Sequence, residues 1–165
     1  MYRHLLIPTD GSLLSGEAIQ HGVELAASIG AKVLFVTVSA PFRAFPLEGG
    51  PVEDTPEAYR VHMQERATRI LDQAGRVAAA AGVAFEARHV EEDQPYRAII
   101  REAEENGCDL IAMASHGLRG MSTLVLGSET VKVLTHTSIP VLVYRAVELH
   151  GERRSSEGNE RSDPA

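Results

Sequence analysis

The sequence predicts a doubly wound α/β domain, a parallel five-stranded sheet with helices on both faces. Three observations carry this. Five strand signals alternate with four helical ones along the chain, the order that generates β-α-β crossovers. Several of the strand signals, such as Lys32–Val38 and Leu110–Ala114, are almost continuously apolar, as strands covered on both faces must be. Glycine stands where three of the helical signals stop, at Gly30, Gly82 and Gly107, the residue best suited to a helix C-terminus.

The first element, His4–Pro8, is a short apolar strand bounded by proline. Thr9-Asp10-Gly11-Ser12 forms a loop, and a helix follows to about Ile29, with Ala18, Ile19, Val23, Leu25, Ala26 and Ile29 on a broad apolar face. Lys32–Val38 is the second strand, and a right-handed crossover makes it parallel to the first. Residues 39–54 hold three prolines and Gly49-Gly50 without periodicity, so they read as a loop. Thr55-Pro56-Glu57 then announces the longest helix with a cap, a first-turn proline and an acid at the positive dipole end. Its stripe of Tyr59, Met63, Ala67, Ile70, Leu71, Ala74, Val77, Ala78 and Ala81 advances in steps of three and four, and is expected to pack on the sheet as core.

Val83–Val90 alternates partly and has a charged flank, which suits an edge strand. Asp93-Gln94-Pro95 opens a helix with Tyr96, Ile99, Ile100 and Ala103 on one face. Leu110–Ala114 is the next buried strand, a helix near residues 128–136 follows, and Val141–Tyr144 is the last strand.

Between the fourth strand and the last helix lies the stretch with most chemistry in it, Met113 to Ser128. A buried strand runs into a glycine-bearing loop that ends where a helix begins, so unpaired N–H groups and a positive dipole end converge in a way that suits an anion. Ser128 can cap that helix or give its hydroxyl to a phosphate oxygen. Taken singly, each glycine here can equally be a device for a tight strand-to-helix connection. Two residues separate Ala114 from Gly117, nine separate Gly117 from Gly127, and Ser128 follows directly. This spacing resembles the G-x2-G-x9-G-(S/T) nucleotide loop of the universal stress protein family, with alanine in the first glycine position. Ile139-Pro-Val-Leu-Val143 resembles that family's closing strand, and Leu5-Leu-Ile-Pro-Thr-Asp-Gly-Ser12 its opening strand and first loop. The resemblance covers residues 2 to 145.

The resemblance implies a Rossmann-like or flavodoxin-like sheet of order 3-2-1-4-5, which sets strands one and four side by side with a ligand crevice at their C-terminal ends. It implies ATP or a related adenine nucleotide there, with Mg²⁺ as a companion, and roles for particular residues. Asp10 would accept from ribose hydroxyls, Pro8, Thr9 and Val38 would line the adenine side, and Met113 and Ala114 would lie against the nucleoside. Gly117, Gly127 and Ser128 would surround the phosphates, Arg119 beside Gly120 would add a positive charge, and His116 and Glu129 complete the candidate set. Asp10 keeps an alternative as a turn or capping acid, and Arg119 as a solvent-exposed charge. Ala114 would be harmless if its backbone is extended, and obstructive if a positive φ were needed. The resemblance also implies a homodimer through Val141–Tyr144, and an apolar edge strand does need covering.

Bulk properties narrow the remaining classes. The formal net charge is −7 and the pI about 5.5, which argues against a nucleic-acid backbone as partner while leaving a small phosphate ligand open. No run reaches the length of a membrane span and the N-terminus lacks a basic segment followed by an apolar one, so a cytoplasmic protein is expected. The chain length suits one domain, expected over residues 1–147, and residues 148–165 are too polar to repay the entropy of ordering and are expected to be a solvated tail. Cys108 is a lone cysteine at the head of a buried strand, a packed thiol. The seven histidines lack metal-site spacing, and neither a G-x4-G-K-(S/T) loop nor a G-x-G-x-x-G after strand one is present. With no recognisable metal-holding acid or water-activating group, a regulatory nucleotide-binding protein is expected, not an enzyme. The alternatives are a nucleotide-free dimeric interaction protein and a slow ATP hydrolase.

Overall fold

The computed structural model describes residues 1–42, 55–115 and 126–145. The elements run β1 (His4–Pro8), α1 (Leu13–Ile29), β2 (Lys32–Ser39), α2 (Pro56–Ala80), β3 (Phe85–Glu91), α3 (Pro95–Glu105), β4 (Leu110–Ala114), α4 (Ser128–His136) and β5 (Val141–Tyr144). The sheet is parallel throughout with order β3-β2-β1-β4-β5. The expected order therefore holds, and β3 and β5 are its edges.

The continuously apolar strands are buried on both sides because their side chains alternate between two cores. Leu5, Ile7, Val33, Phe35, Leu110 and Ala112 pack with Val23 and Ala26 of α1 and Ala74 and Ala78 of α2. Leu6, Leu34, Val36, Ile111 and Met113 pack with Ile99 and Ala103 of α3 and Val133 of α4 on the opposite face. Phe35, Leu5, Leu6, Ile7, Leu34 and Ile111 are fully buried, each worth about 1.5–3 kcal/mol relative to exposure.

Local signals explain where the helices start. Ser12 caps α1, its hydroxyl accepting the Ser15 N–H at 3.2 Å, and Gly11 turns the chain with φ +79°. Thr55 caps α2 through the Ala58 N–H at 3.1 Å, with Pro56 in the first turn. Four expectations shift in detail. The cap of α4 is Gly127, so Ser128 is its first helical residue and does not cap it. β3 begins at Phe85, because Val83 turns its N–H back to the Ala78 carbonyl that closes α2. β2 runs one residue further than expected, to Ser39, since its pairing with β3 continues to Ser39 opposite Glu91. The α2 stripe is core only in part: Ile70, Leu71 and Val77 are half-buried, and Ala81, which caps the helix, is exposed. Ala67, Ala74, Gly75 and Ala78 are buried, whereas Tyr59 and Met63 are half-buried. The reason is length: 25 residues of helix span about 37 Å, and seven residues of β3 only about 23 Å, so the first turns of α2 stand beyond the sheet. Most of the proline-bearing loop and the whole expected tail fall outside the described residues.

Candidate functional site

Pro8 opens the crevice. In a parallel strand successive residues turn their backbone groups to opposite neighbours. Thr9 donates its N–H to Val36 of β2 at 2.9 Å, and the His4 carbonyl accepts from Asp109 on the β4 side. Pro8 therefore faces β4, and it has no N–H to give. Pairing between β1 and β4 is registered only at Leu5↔Leu110 and Leu6↔Ile111, while β1–β2 pairing continues to Pro8↔Val36. Beyond Ile7 the two central strands part, and their crossovers leave in opposite directions, the arrangement in which open α/β sheets bind ligands.

A cavity of about 650 Å³ fills this gap. Nine of the expected site residues meet there: Pro8, Thr9 and Asp10 after β1, Val38 at the end of β2, Met113 and Ala114 ending β4, and Gly127, Ser128 and Glu129 at the start of α4. The other four, His116, Gly117, Arg119 and Gly120, lie outside the described residues.

The β1 corner is tied internally. Asp10 Oδ1 accepts the Ser12 N–H at 3.0 Å, so the turn role left open for this acid is real. Thr9 Oγ1 and Ser15 Oγ are 3.1 Å apart. Ala114 is strand residue in β4, and among the described residues no side-chain-bearing residue has a positive φ. Alanine in the first glycine position is thus free of backbone strain. By strand alternation Val38 turns its backbone to the same side as Val36, the β1 side, where β1 ends at Pro8, and Val38 lines the cavity. The fourth side is the N-terminus of α4, whose first N–H groups lack helical acceptors.

α2 and β3 supply a wall that the sequence did not announce. Tyr59, Met63, Arg66 and Ile70 line the cavity from α2, and His89, Glu92 and Asp93 from the end of β3. Tyr59 donates its hydroxyl to the Ala40 carbonyl at 2.9 Å. Arg66 Nη2 lies 3.5 Å from the Asp10 carbonyl, and among the described lining residues it is the one Lys or Arg. His89 Nδ1 donates to Gln64 Oε1 at 2.9 Å, leaving Nε2 to accept from Ser39 Oγ at 2.8 Å. That arrangement requires a neutral ring, and burial lowers its pKa, against the pull of Glu91. Glu129 Oε2 accepts the Tyr96 N–H at 2.9 Å and Oε1 meets Lys132 Nζ at 2.7 Å. The signal that could have revealed this wall is the length of α2 against that of its neighbouring strands.

Fold and site define an α/β binding domain with its crevice at the strand-order reversal. The chain matches the model of the universal stress protein family over residues 1–145, and it belongs to that family. It is 31% identical over 147 residues to universal stress protein MJ0531 of Methanocaldococcus jannaschii, covering 88% of this chain and 83% of that one. The solved structure of MJ0577, from the same organism, superposes with TM-score 0.75 at 26% identity, covering 89% of this chain and 98% of that one. A universal stress protein solved in complex with cAMP has TM-score 0.66 at 25% identity, covering 87% of this chain and 97% of that one.

Proposed function

We propose that this protein binds ATP or a related adenine nucleotide in the β1/β4 cavity and acts through the bound state as a cytoplasmic regulator in a stress response. The observation that carries this reading is the convergence on one cavity of a donor–acceptor pair, an acid and a helix N-terminus. The backbone N–H and C=O of Val38 match adenine, which offers a ring-nitrogen acceptor beside its N6 amino donor. Asp10, lining the same cavity, is the acceptor for ribose hydroxyls in this reading, and the start of α4 at Gly127 and Ser128 favours phosphate. The family relative in complex with cAMP supports an adenine nucleotide as the ligand class. Among the described residues no group of three or more His, Cys, Asp or Glu side chains is placed to hold a metal, so magnesium in this reading accompanies the phosphates. Among them, too, no helix is long and apolar enough to cross a membrane.

A homodimer through β5 belongs to the same proposal. Val141–Tyr144 is half-buried at a sheet edge, and Val131 and Leu134 of the neighbouring α4 are 42% and 41% exposed. Apolar side chains beside an unpaired edge favour a second copy.

The test is calorimetric titration of nucleotide-stripped protein with ATP and magnesium, repeated for Asp10→Ala. Saturable binding that weakens at least about tenfold in the variant, the loss of a charge-assisted hydrogen bond, supports the reading. Absence of heat and of thermal stabilisation overturns it in favour of an interaction module without nucleotide. Metal-dependent phosphate release lost in Asp10→Ala would add slow hydrolysis.

A further inference from the structure

Thr130, the third residue of α4, is 2% exposed and lines the cavity. Its hydroxyl lies 3.1 Å from the Ala114 carbonyl and 3.2 Å from the Ser115 carbonyl, and as the only donor of the three groups it shares its one hydrogen between the two carbonyls. The Ser115 carbonyl also accepts the Gly127 N–H at 2.7 Å, and the Ser115 N–H is given to the Tyr144 carbonyl at 2.7 Å. One hydroxyl therefore joins the end of β4 to the start of α4 at the point where the chain leaves the strand and re-enters as helix. The electrostatic consequence follows from the groups involved. Carbonyl oxygens carry partial negative charge and would oppose an anion placed at a helix N-terminus. A hydrogen shared between them draws on both lone-pair sets and reduces that opposition, in favour of the first N–H groups of α4.

We propose that Thr130 is a positioning residue for phosphate: its hydroxyl fixes the base of the anion-binding end of the cavity, so that phosphate-bearing ligands depend on it and the nucleoside does not. The inference rests on the adenine-nucleotide reading above. The polar contacts of adenine and ribose are assigned to Val38 and Asp10, on β2 and after β1, and Ala114, which lies against the nucleoside in that reading, is held independently of Thr130 by its β4–β5 pairing with Tyr144.

The experiment measures affinities of wild type, Thr130→Val and Thr130→Ser for ATP, AMP and adenosine, with a melting curve for each protein. Thr130→Val keeps the shape and removes the donor. It should weaken ATP and AMP by about tenfold, the scale of one lost hydrogen bond with its consequences, and leave adenosine within about twofold. Thr130→Ser should bring the nucleotides back to near wild-type affinity. Thr130→Ala makes the same prediction with a smaller side chain, should valine disturb folding. Equal loss for adenosine and ATP, unchanged ATP binding in Thr130→Val, or no recovery with serine would overturn the proposal. Wild-type protein that binds none of the three ligands overturns the nucleotide reading itself, and this inference with it.

Discussion

Glu129 caps a helix that is not its own. Its Oε2 accepts the Tyr96 N–H at 2.9 Å, at the first turn of α3, where Gln94 in the cap position makes no side-chain hydrogen bond. The carboxylate thus supplies what the local sequence of α3 lacks, and its charge also stands in the first turn of α4, so one acid complements the positive ends of two helix dipoles. This gives Glu129 a structural occupation at the cavity wall.

Replacing Glu129 by alanine should therefore cost more than its surface ion pair implies. Loss of a cap to a helix N-terminus is worth about 1 kcal/mol, or about 2–4 °C in Tm for a chain of this size. Lys132→Ala breaks the 2.7 Å pair with Glu129 but leaves the cap, and should cost less than about 0.5 kcal/mol. Urea denaturation of the two variants checks the ranking. Equal losses would mean that the ion pair, not the cap, is what the carboxylate contributes.

A second prediction concerns α1 against β1. A Cβ on Gly22 would stand 2.5 Å from Ile7 Cδ1, closer than carbon atoms approach, so the end of the fully buried Ile7 side chain has to shift within the core. Gly22→Ala should destabilise by about 1–3 kcal/mol, the range for overpacking. Ile7→Val removes the clashing methyl and alone should cost about 0.5–1.5 kcal/mol. The double variant should then be more stable than the sum of the singles predicts, a coupling measurable by a denaturation cycle. Additive losses would place the strain elsewhere.

Much of this architecture was legible in the chain because the signals were local and redundant. The apolar runs of β1, β2 and β4, the Thr55-Pro56-Glu57 start of α2 and the spacing from Ala114 to Ser128 each report one segment's own physics. The wall formed by Tyr59, Met63, Arg66 and His89 was signalled only by the length of α2, since Tyr59 and Met63 at helical spacing look the same whether they cover a sheet or overhang its end. Glu129 shows the same limit for polar residues. Its position at a helix start identifies a favourable place for an acid, but its partner Tyr96 lies 33 residues away, and only the packing of α3 against α4 brings them together. Of the two roles left open for Ser128, the cap falls to Gly127, because serine and glycine both suit that position and the choice turned on a single residue of register.

Cys108 should be inert while the protein is folded. It is 6% exposed, and burial, with Asp109 adding repulsion, pushes its thiol pKa up to about 12. Thiolate is the reactive form, so a maleimide or disulfide reagent at pH 8 should label the native protein at least about a hundredfold more slowly than the urea-unfolded chain, in which the thiol returns to an ordinary pKa. Prompt stoichiometric labelling of folded protein would contradict the packing described for this residue.

The last prediction is a pH dependence with a definite sign. His4 is 5% exposed; its Nδ1 donates to the Asn106 carbonyl at 3.1 Å, and Nε2 is buried without a hydrogen-bond partner among the described residues. Protonation would place a charge and an unpaired donor in that pocket. The pKa is accordingly lowered from 6.5, first by burial and then by Lys32, with the Asn106 carbonyl, Glu86 and Asp109 opposing. Below 6.5 the unfolded chain takes up a proton at this position before the folded one does, so the stability from a neutral His4 is fully present above 6.5 and is lost as pH falls toward the folded pKa. His89, lowered by burial as well, adds a slope of the same sign. Stability measured by urea denaturation should therefore decline as pH is lowered from 7.5 through the window beginning at 6.5. His4→Gln, which keeps a neutral donor toward Asn106, should reduce the slope and leave the part due to His89. A slope unchanged in His4→Gln and abolished in His89→Gln would assign the whole effect to the cavity wall, and a slope untouched by either substitution would mean that neither ring is held neutral by the fold.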